Sequence, residues 1–305
     1  NTNEPPALVA CWRESKIEPL VKECYILLEV VPFQEEHLED AAVLASVRYE
    51  KLCGDVPSLP SRYAQVDTLL PLLRQSARAA PGVAAIRGRR LVGFLTAWRL
   101  PSFRGQRSMF SPEWANAADL EDSRRIYEEM YFHVSASWVA DGCFTHLISV
   151  LPNDGDGIRA WHWLGFGMIA ADAVRDLRRA PGGNANVDIR RAGPQDLAQV
   201  IALSEALEQH LTGAPTFLVA TGKRERDDYE EWLCNPARAL WLAFRGAEAV
   251  AFIALGPASE EACTIIVDQK TSSISGAFTR EEVRGMGIAT ALLNEGVGIS
   301  YQNLV

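Results

Sequence analysis

Near its C-terminal end the chain reads Arg284-Gly285-Met286-Gly287-Ile288-Ala289-Thr290, and the apolar Ala291-Leu292-Leu293 follows at once. Two glycines in the mouth of a helix leave its first amides bare. Those N–H groups have no intrahelical partner, and the helix dipole is positive at that end. An anion can bind there, and Arg284 adds a cation on the approach. The spacing therefore predicts a cradle for a diphosphate. A dinucleotide-binding fingerprint does not fit. Gly285-x-Gly287-x-x-Thr290 lacks the third small residue, and no acidic residue stands about twenty positions further on. No GxxxxGK[ST] phosphate loop occurs in the chain.

Other constellations are missing from the sequence. The five histidines (His37, His133, His146, His162, His210) show neither HxxxH nor HExxH spacing, so no metal site is expected. There is no GxSxG elbow for a nucleophilic serine. The six cysteines (Cys11, Cys24, Cys53, Cys143, Cys234, Cys263) form no CxxC pair and read as reduced, packed thiols. A formal charge of −9 argues against a nucleic-acid partner, which calls for a basic surface. No apolar run approaches the roughly 18 residues of a membrane span, and no secretory h-region opens the chain. The expectation is a cytoplasmic protein without a membrane partner.

The elements that must hold the glycine turn come in two similar sets. The densest turn-forming cluster, Ala180-Pro181-Gly182-Gly183-Asn184-Ala185-Asn186, reads as a linker. Before it, the β-like Ile26–Val31 leads through Pro32 into a helical pattern containing Leu38. After it, Val187–Arg190 leads through Pro194 into a helical pattern containing Leu197, 159 positions from Leu38. A hairpin pattern, Ala85–Leu95, returns as Ala243–Ile253, with Arg87 and Arg245 158 positions apart. Two matches at nearly one offset predict an internal duplication. The expected organisation is an N-terminal arm or tag-derived segment over 1–25, a first domain over 26–179, the linker over 180–186 and a second domain over 187–305. Each domain reads as strand, helices, antiparallel hairpin, strand and long helix, an α/β (α+β) class with a mixed, mostly antiparallel sheet flanked by helices.

The order strand, helix, hairpin, strand, Arg-x-x-Gly-x-Ala, helix resembles the GNAT superfamily of Gcn5-related N-acetyltransferases. The signature is met by Arg284, Gly287 and Ala289, with Ala277-Phe278-Thr279 where the family has its splayed fourth strand. The resemblance implies two tandem GNAT-like domains and acetyl-CoA as co-substrate. It implies that Arg284, Gly285, Met286, Gly287, Ile288, Ala289 and Thr290 face the coenzyme A diphosphate, and that Ala277, Phe278 and Thr279 lie along the pantetheine arm. The first domain looks like the same fold without the cradle. Shifted back by 158, the turn falls on Ile126-Tyr127-Glu128-Glu129-Met130-Tyr131, which has no glycine and two carboxylates. Its later part, His146–Leu151, Asp156–Trp163 and Leu164-Gly165-Phe166, reads as strand, short helix and entry to a final strand. The same offset would carry the second domain well past Val305, so its last strand and helix are expected to be missing.

Acetyl transfer needs a neutral amine, a polarised carbonyl and a protonated leaving thiolate. The expected fourth strand, Thr271–Thr279, carries no carboxylate. Glu281 and Glu282, just after it, are the candidate bases, with Asp268 a weaker one. Tyr301 is the candidate acid. The run Lys223–Asp228 alternates sign like a solvated helix face, and Tyr229 and Trp232 beside it read either as surface helix or as walls of an acceptor groove. The function expected is N-acetylation of a primary amine on a small molecule or peptide, from a site in the second domain. A homodimer is compatible with it. The rival from a different class is a non-catalytic acyl-CoA-binding or protein-interaction module.

Overall fold

The computed structural model describes residues 27–183, 186–218, 225–257, 263–268 and 271–304, with side chains described up to 298. The proposed arm, part of the linker and Lys223 lie outside the described residues. In the first half, β1 (Leu28–Pro32) leads to α1 (Leu38–Asp55) and α2 (Val66–Ala79). Then come β2 (Val83–Arg87), β3 (Arg90–Leu95), β4 (Trp98–Phe103), β5 (Gln106–Ser111), β6 (Asn116–Ala118), α3 (Ser123–Ala140), β7 (Thr145–Ile148) and α4 (Gly155–Trp163). The second half runs β8 (Asp188–Arg191), α5 (Leu197–Thr212), α6 (Arg226–Cys234), β9 (Ala239–Arg245), β10 (Glu248–Pro257), β11 (Ser272–Thr279) and α7 (Ile288–Leu304). No helix among the described residues is long and apolar enough to cross a membrane.

One sheet has the order β1-β2-β3-β6 and another β11-β10-β9-β8, each antiparallel throughout. In each, the strands lie side by side in the order in which the chain forms them, with β4 and β5 intervening between β3 and β6 in the first. Side chains alternate across these strands, so each sheet buries two faces. On β9 and β10, Leu240, Leu242, Phe244, Phe252 and Ala254 pack towards α5 and α6. Ala243, Val250, Ala251 and Ile253 face Ile288 and Leu292 of α7. On β2 and β3, Ala84, Leu91 and Phe94 face α1 and α2, while Ala85, Val92 and Leu95 face α3 and α4. Helix α1 meets its sheet because Leu38, Ala41, Ala42, Ala45, Tyr49 and Leu52 recur at helical spacing on one side.

Small irregularities recur as well. The β2–β3 ladder slips so that Val92 is the extra residue, and the β9–β10 ladder slips so that Val250 is, 158 positions later. A bulge turns its carbonyl out of the ladder. Val92 O accepts from Asp119 N at 2.8 Å, and Val250 O accepts from Arg280 N at 2.9 Å. Entry to the first helix is also shared: Gln34 N donates to His37 Nδ1 at 2.9 Å, and Gly193 N donates to Asp196 Oδ2 at 3.0 Å. Two side chains of different chemistry fill one acceptor position 159 residues apart.

The first half has a second small sheet, β4-β5-β7, in which β5 and β7 run parallel. β5 bends through Pro112–Ala115 into β6, so the chain leaves one sheet for the other. Thr145–Ile148 forms a shorter strand than the expected His146–Leu151. Leu164-Gly165-Phe166 opens no strand: residues 164–183 have no regular structure, and Phe166 stacks edge-on against Tyr131 and Trp161 instead.

Candidate functional site

The Arg284–Thr290 turn sits where β11 gives way to α7. β11 is the edge of its sheet, paired only with β10 among the described residues. Its ladder is regular from Thr279 back to Gly276 and then slips, leaving Ser275 as the extra residue. Ala277, Phe278 and Thr279 therefore lie on the regular stretch next to the turn. Glu281–Val283 forms one 3-10 turn whose Val283 is buried as an anchor. Gly285 and Gly287 then take φ values of +78° and +77°, a left-handed conformation that costs most residues energy and glycine none. Nothing lies within 4 Å of a side chain built at Gly285, so open space adjoins the turn. Among the described residues, no acceptor outside the helix meets the amides of residues 285–290. Met286 is 53% exposed, and Ile288 is buried under β9 and β10.

Arg284 is exposed, and its Nε donates to Thr279 O at 3.0 Å, which holds the guanidinium beside the end of β11. The linker supports the same helix: Asn294 accepts from Ala180 N at 2.8 Å and donates to Ala180 O at 3.1 Å. Gly183 backs onto α7 so closely that a Cβ there would stand 3.0 Å from Ala291 N.

The candidate acid–base residues are not gathered around this turn. Glu281 and Glu282 are both exposed. Asp268 lies 3.9 Å from Arg62, in the loop between β10 and β11. Tyr301 falls on α7 rather than on a later strand, and its side chain lies outside the described residues. Tyr229 and Trp232 are half-buried and pack on the core of the second half, so they hold α6 to its sheet.

The first half differs from the expected alignment. Ile126–Tyr131 is not a turn but the interior of α3, where Ile126 and Met130 are fully buried. The backbone bonds to the two bulges make Asp119 the counterpart of Arg280. From there four residues lead to the first residue of α3, whereas eight lead to the first of α7. The second half thus carries four extra residues in this turn, and the offset, 158 at the bulges and 161 at Asp119 and Arg280, becomes 165 at the helix starts. In the first half the turn is Asp119-Leu120-Glu121-Asp122, acidic and without glycine. Asp119 pairs with Arg90 and Asp122 with Arg87. The start of α3 is further closed by Asp154, which accepts from Ser123 Oγ and from Gly157 N, each at 2.8 Å. Arg48, buried on α1, reaches Asp154 at 3.1 Å and the Ala118 carbonyl. Tyr127 lies in the same cluster, and burial pushes its hydroxyl pKa upward.

A third arrangement, not anticipated from the sequence, lies at the β5–β6 bend. Glu113 is 4% exposed, and its Oε1 accepts from Ile265 N of the second half at 2.9 Å. Oε2 has no partner. Burial raises the pKa of this carboxyl, as it raises that of the neighbouring Cys263 thiol. The one sequence signal was Ser111-Pro112, which marks a bend but does not say what the bend holds.

Residues 205–300 match the sequence model of the acetyltransferase (GNAT) family. This stretch is a GNAT domain. No curated protein matches the chain. Solved structures similar to it include the ribosomal-protein-alanine N-acetyltransferase of Brucella melitensis biovar Abortus 2308, at 20% identity, covering 38% of this chain and 72% of that one, with a TM-score of 0.31. AAC(6')-Iy, solved with the bisubstrate analog CoA-S-monomethyl-acetylneamine, matches at 20% identity over 39% of this chain and 74% of its own, with a TM-score of 0.30. A probable acetyltransferase matches at 15% identity over 50% and 99%, with a TM-score of 0.37.

Proposed function

We propose that the chain is a tandem acetyltransferase whose second half binds acetyl-CoA and acetylates a primary amine of a small molecule or peptide. One observation carries the reading. Within the stretch that matches the GNAT family, two left-handed glycines lie at a helix N-terminus, Gly285 facing open space and Gly287 backed by Gly183, next to a β11 edge that is unpaired among the described residues. The amides of residues 285–290 suit a diphosphate, and the edge of β11 at Ala277–Thr279 suits the amide-bearing pantetheine arm. Acetyl-CoA would bring an activated thioester. The chain's own part is to hold the diphosphate through the turn, aided by Arg284, and to polarise the carbonyl with strand N–H groups.

The repeated sheet order, the paired bulges and the matched helix entries support two copies of one fold, divided near the linker at 180–186. The first copy, with an acidic turn and Asp154 over its helix start, is proposed to bind no acetyl-CoA, since like charge opposes a diphosphate.

A second reading, a binder of acyl-CoA without catalysis, is favoured by the exposure of Glu281 and Glu282 and by a β11 without a carboxylate. Thermal denaturation with and without acetyl-CoA tests the cradle. Stabilisation is expected, and its absence removes both readings. Release of free thiol across a panel of amines then separates enzyme from binder.

A further inference from the structure

The loop between β10 and β11 does not stay with its own half. Ile265 is 6% exposed and sits in the core of the first half, between Tyr49, Tyr63 and Trp114. Its neighbours are read through their main chain. Cys263 N donates to Asp172 Oδ2 at 2.8 Å, and Ile265 N donates to Glu113 Oε1 at 2.9 Å. Ile265 O lies 3.2 Å from the Tyr49 hydroxyl, which shares its proton with Pro60 O at 2.8 Å. Val267 O accepts from Arg62. Four side chains from four separate parts of the first half thus meet four backbone groups within five residues. None of these bonds needs a particular side chain on the loop. The side chains that meet the first half are apolar: Ile265 is buried in its pocket, and Cys263 and Ile266 pack against the same core.

That is how a protein recognises a peptide: hydrogen bonds to its main chain hold the segment, here the 3-10 turn Thr264–Ile266, and a pocket takes one anchor residue. We infer that the first half is a peptide-binding module, that its ligand class is a short segment with a central aliphatic residue, and that Cys263–Val267 of the same chain occupies it in cis. The module thereby holds the loop that feeds β11. It would give the first half a role of its own, independent of whether acetyl-CoA binds the second.

The full-length I265A variant keeps the loop's backbone but removes its anchor. A fluorescent, end-capped peptide of the sequence Cys-Thr-Ile-Ile-Val, followed by anisotropy, is expected to bind I265A at least tenfold more tightly than the unaltered chain, whose cleft is filled. Adding E113A is expected to weaken that binding about tenfold, the worth of one buried hydrogen bond. E113Q, whose amide oxygen can still accept, is expected to restore most of it. Equal binding to I265A and the unaltered chain, or binding indifferent to E113A, overturns the inference. Should I265A fail to fold, hydrogen exchange at the Ile265 amide decides the matter. Exchange at least tenfold faster in E113A, with recovery in E113Q, is expected, and unchanged exchange in E113A refutes it.

Discussion

The two strand-to-helix turns begin from the same bond. Asp119 N and Arg280 N each donate to the carbonyl of a bulged valine on the neighbouring strand. They even keep the same ion pair with its signs exchanged, Arg90 with Asp119 in the first half and Glu248 with Arg280 in the second. Beyond that bond they part. The first turn is short and acidic, and the Ser123 hydroxyl at its end is held by the buried Asp154. The second is four residues longer, carries two left-handed glycines and ends in amides that meet no acceptor outside the helix among the described residues. The scaffold is therefore indifferent to what the turn does. A few residues decide whether the turn before the helix is short and acidic or longer and glycine-bearing.

The largest effect is expected at Asp154. D154A leaves buried Arg48 without its charge partner and uncaps α4, and should lower stability by about 3–5 kcal/mol. Chemical denaturation reads this, while the acetyl-CoA shift of the second half should persist. Next comes the open turn. G287E places a carboxylate and a strained φ at the cradle and should remove the stabilisation by acetyl-CoA, which at a hundredfold excess over Kd is worth about 2.7 kcal/mol. E128Q and E129Q, on α3, should leave that shift untouched, and a loss there would dissolve the contrast between the halves.

Glu113 gives the comparison a pH dependence. It is faced by Tyr49 of α1, Tyr63 of the 61–64 turn, Asp172, and Cys263 and Ile265 of the loop. Burial raises its pKa in the folded chain. The stability it contributes is therefore complete below the ordinary glutamate value near 4.3 and is lost as pH rises through the folded value. Denaturation midpoints of E113Q should lack that loss. Asp196 runs the other way. Its two hydrogen bonds from Arg190, at 2.6 and 2.7 Å, hold its pKa down, so its contribution is present above about 3.9 and is lost on acidification.

The exchanged ion pair predicts a smaller effect. E248R sets two arginines together and should cost about 0.5 kcal/mol, recovered in the double variant E248R/R280E. Smallest of all, E281Q and E282Q should each change the acetylation rate less than about twofold, because both carboxylates are solvated. A loss near a hundredfold in either would make it the base.

Much of the fold could be read from the chain. The hairpins announce themselves through alternating apolar residues around Gly88 and Gly246, and their 158-residue separation holds to the bulged valine. The helix entries at Gln34 and Gly193 keep nearly the same spacing. The offset then drifts, to 161 at Asp119 and Arg280 and to 165 at the starts of α3 and α7, because insertions inside loops leave no periodic trace, and so the first-half counterpart is displaced from Asp119–Asp122 to Ile126–Tyr131. The glycine turn itself was legible, since positive φ at a helix mouth selects glycine. Glu113 was not. Its partner lies 152 positions away in sequence, and no local pattern records a contact of that range.

The docking of Ile265 against Tyr49 also sets an order of events. These residues are 216 positions apart. As the chain emerges from the ribosome, the cleft around Glu113 is complete long before its occupant exists. Closing so long a loop contributes little until both halves are structured, so docking belongs to the last stage of folding. Until then the first half presents an apolar cavity with a carboxyl at its base, and that interval is when a chaperone or a second chain has access to it.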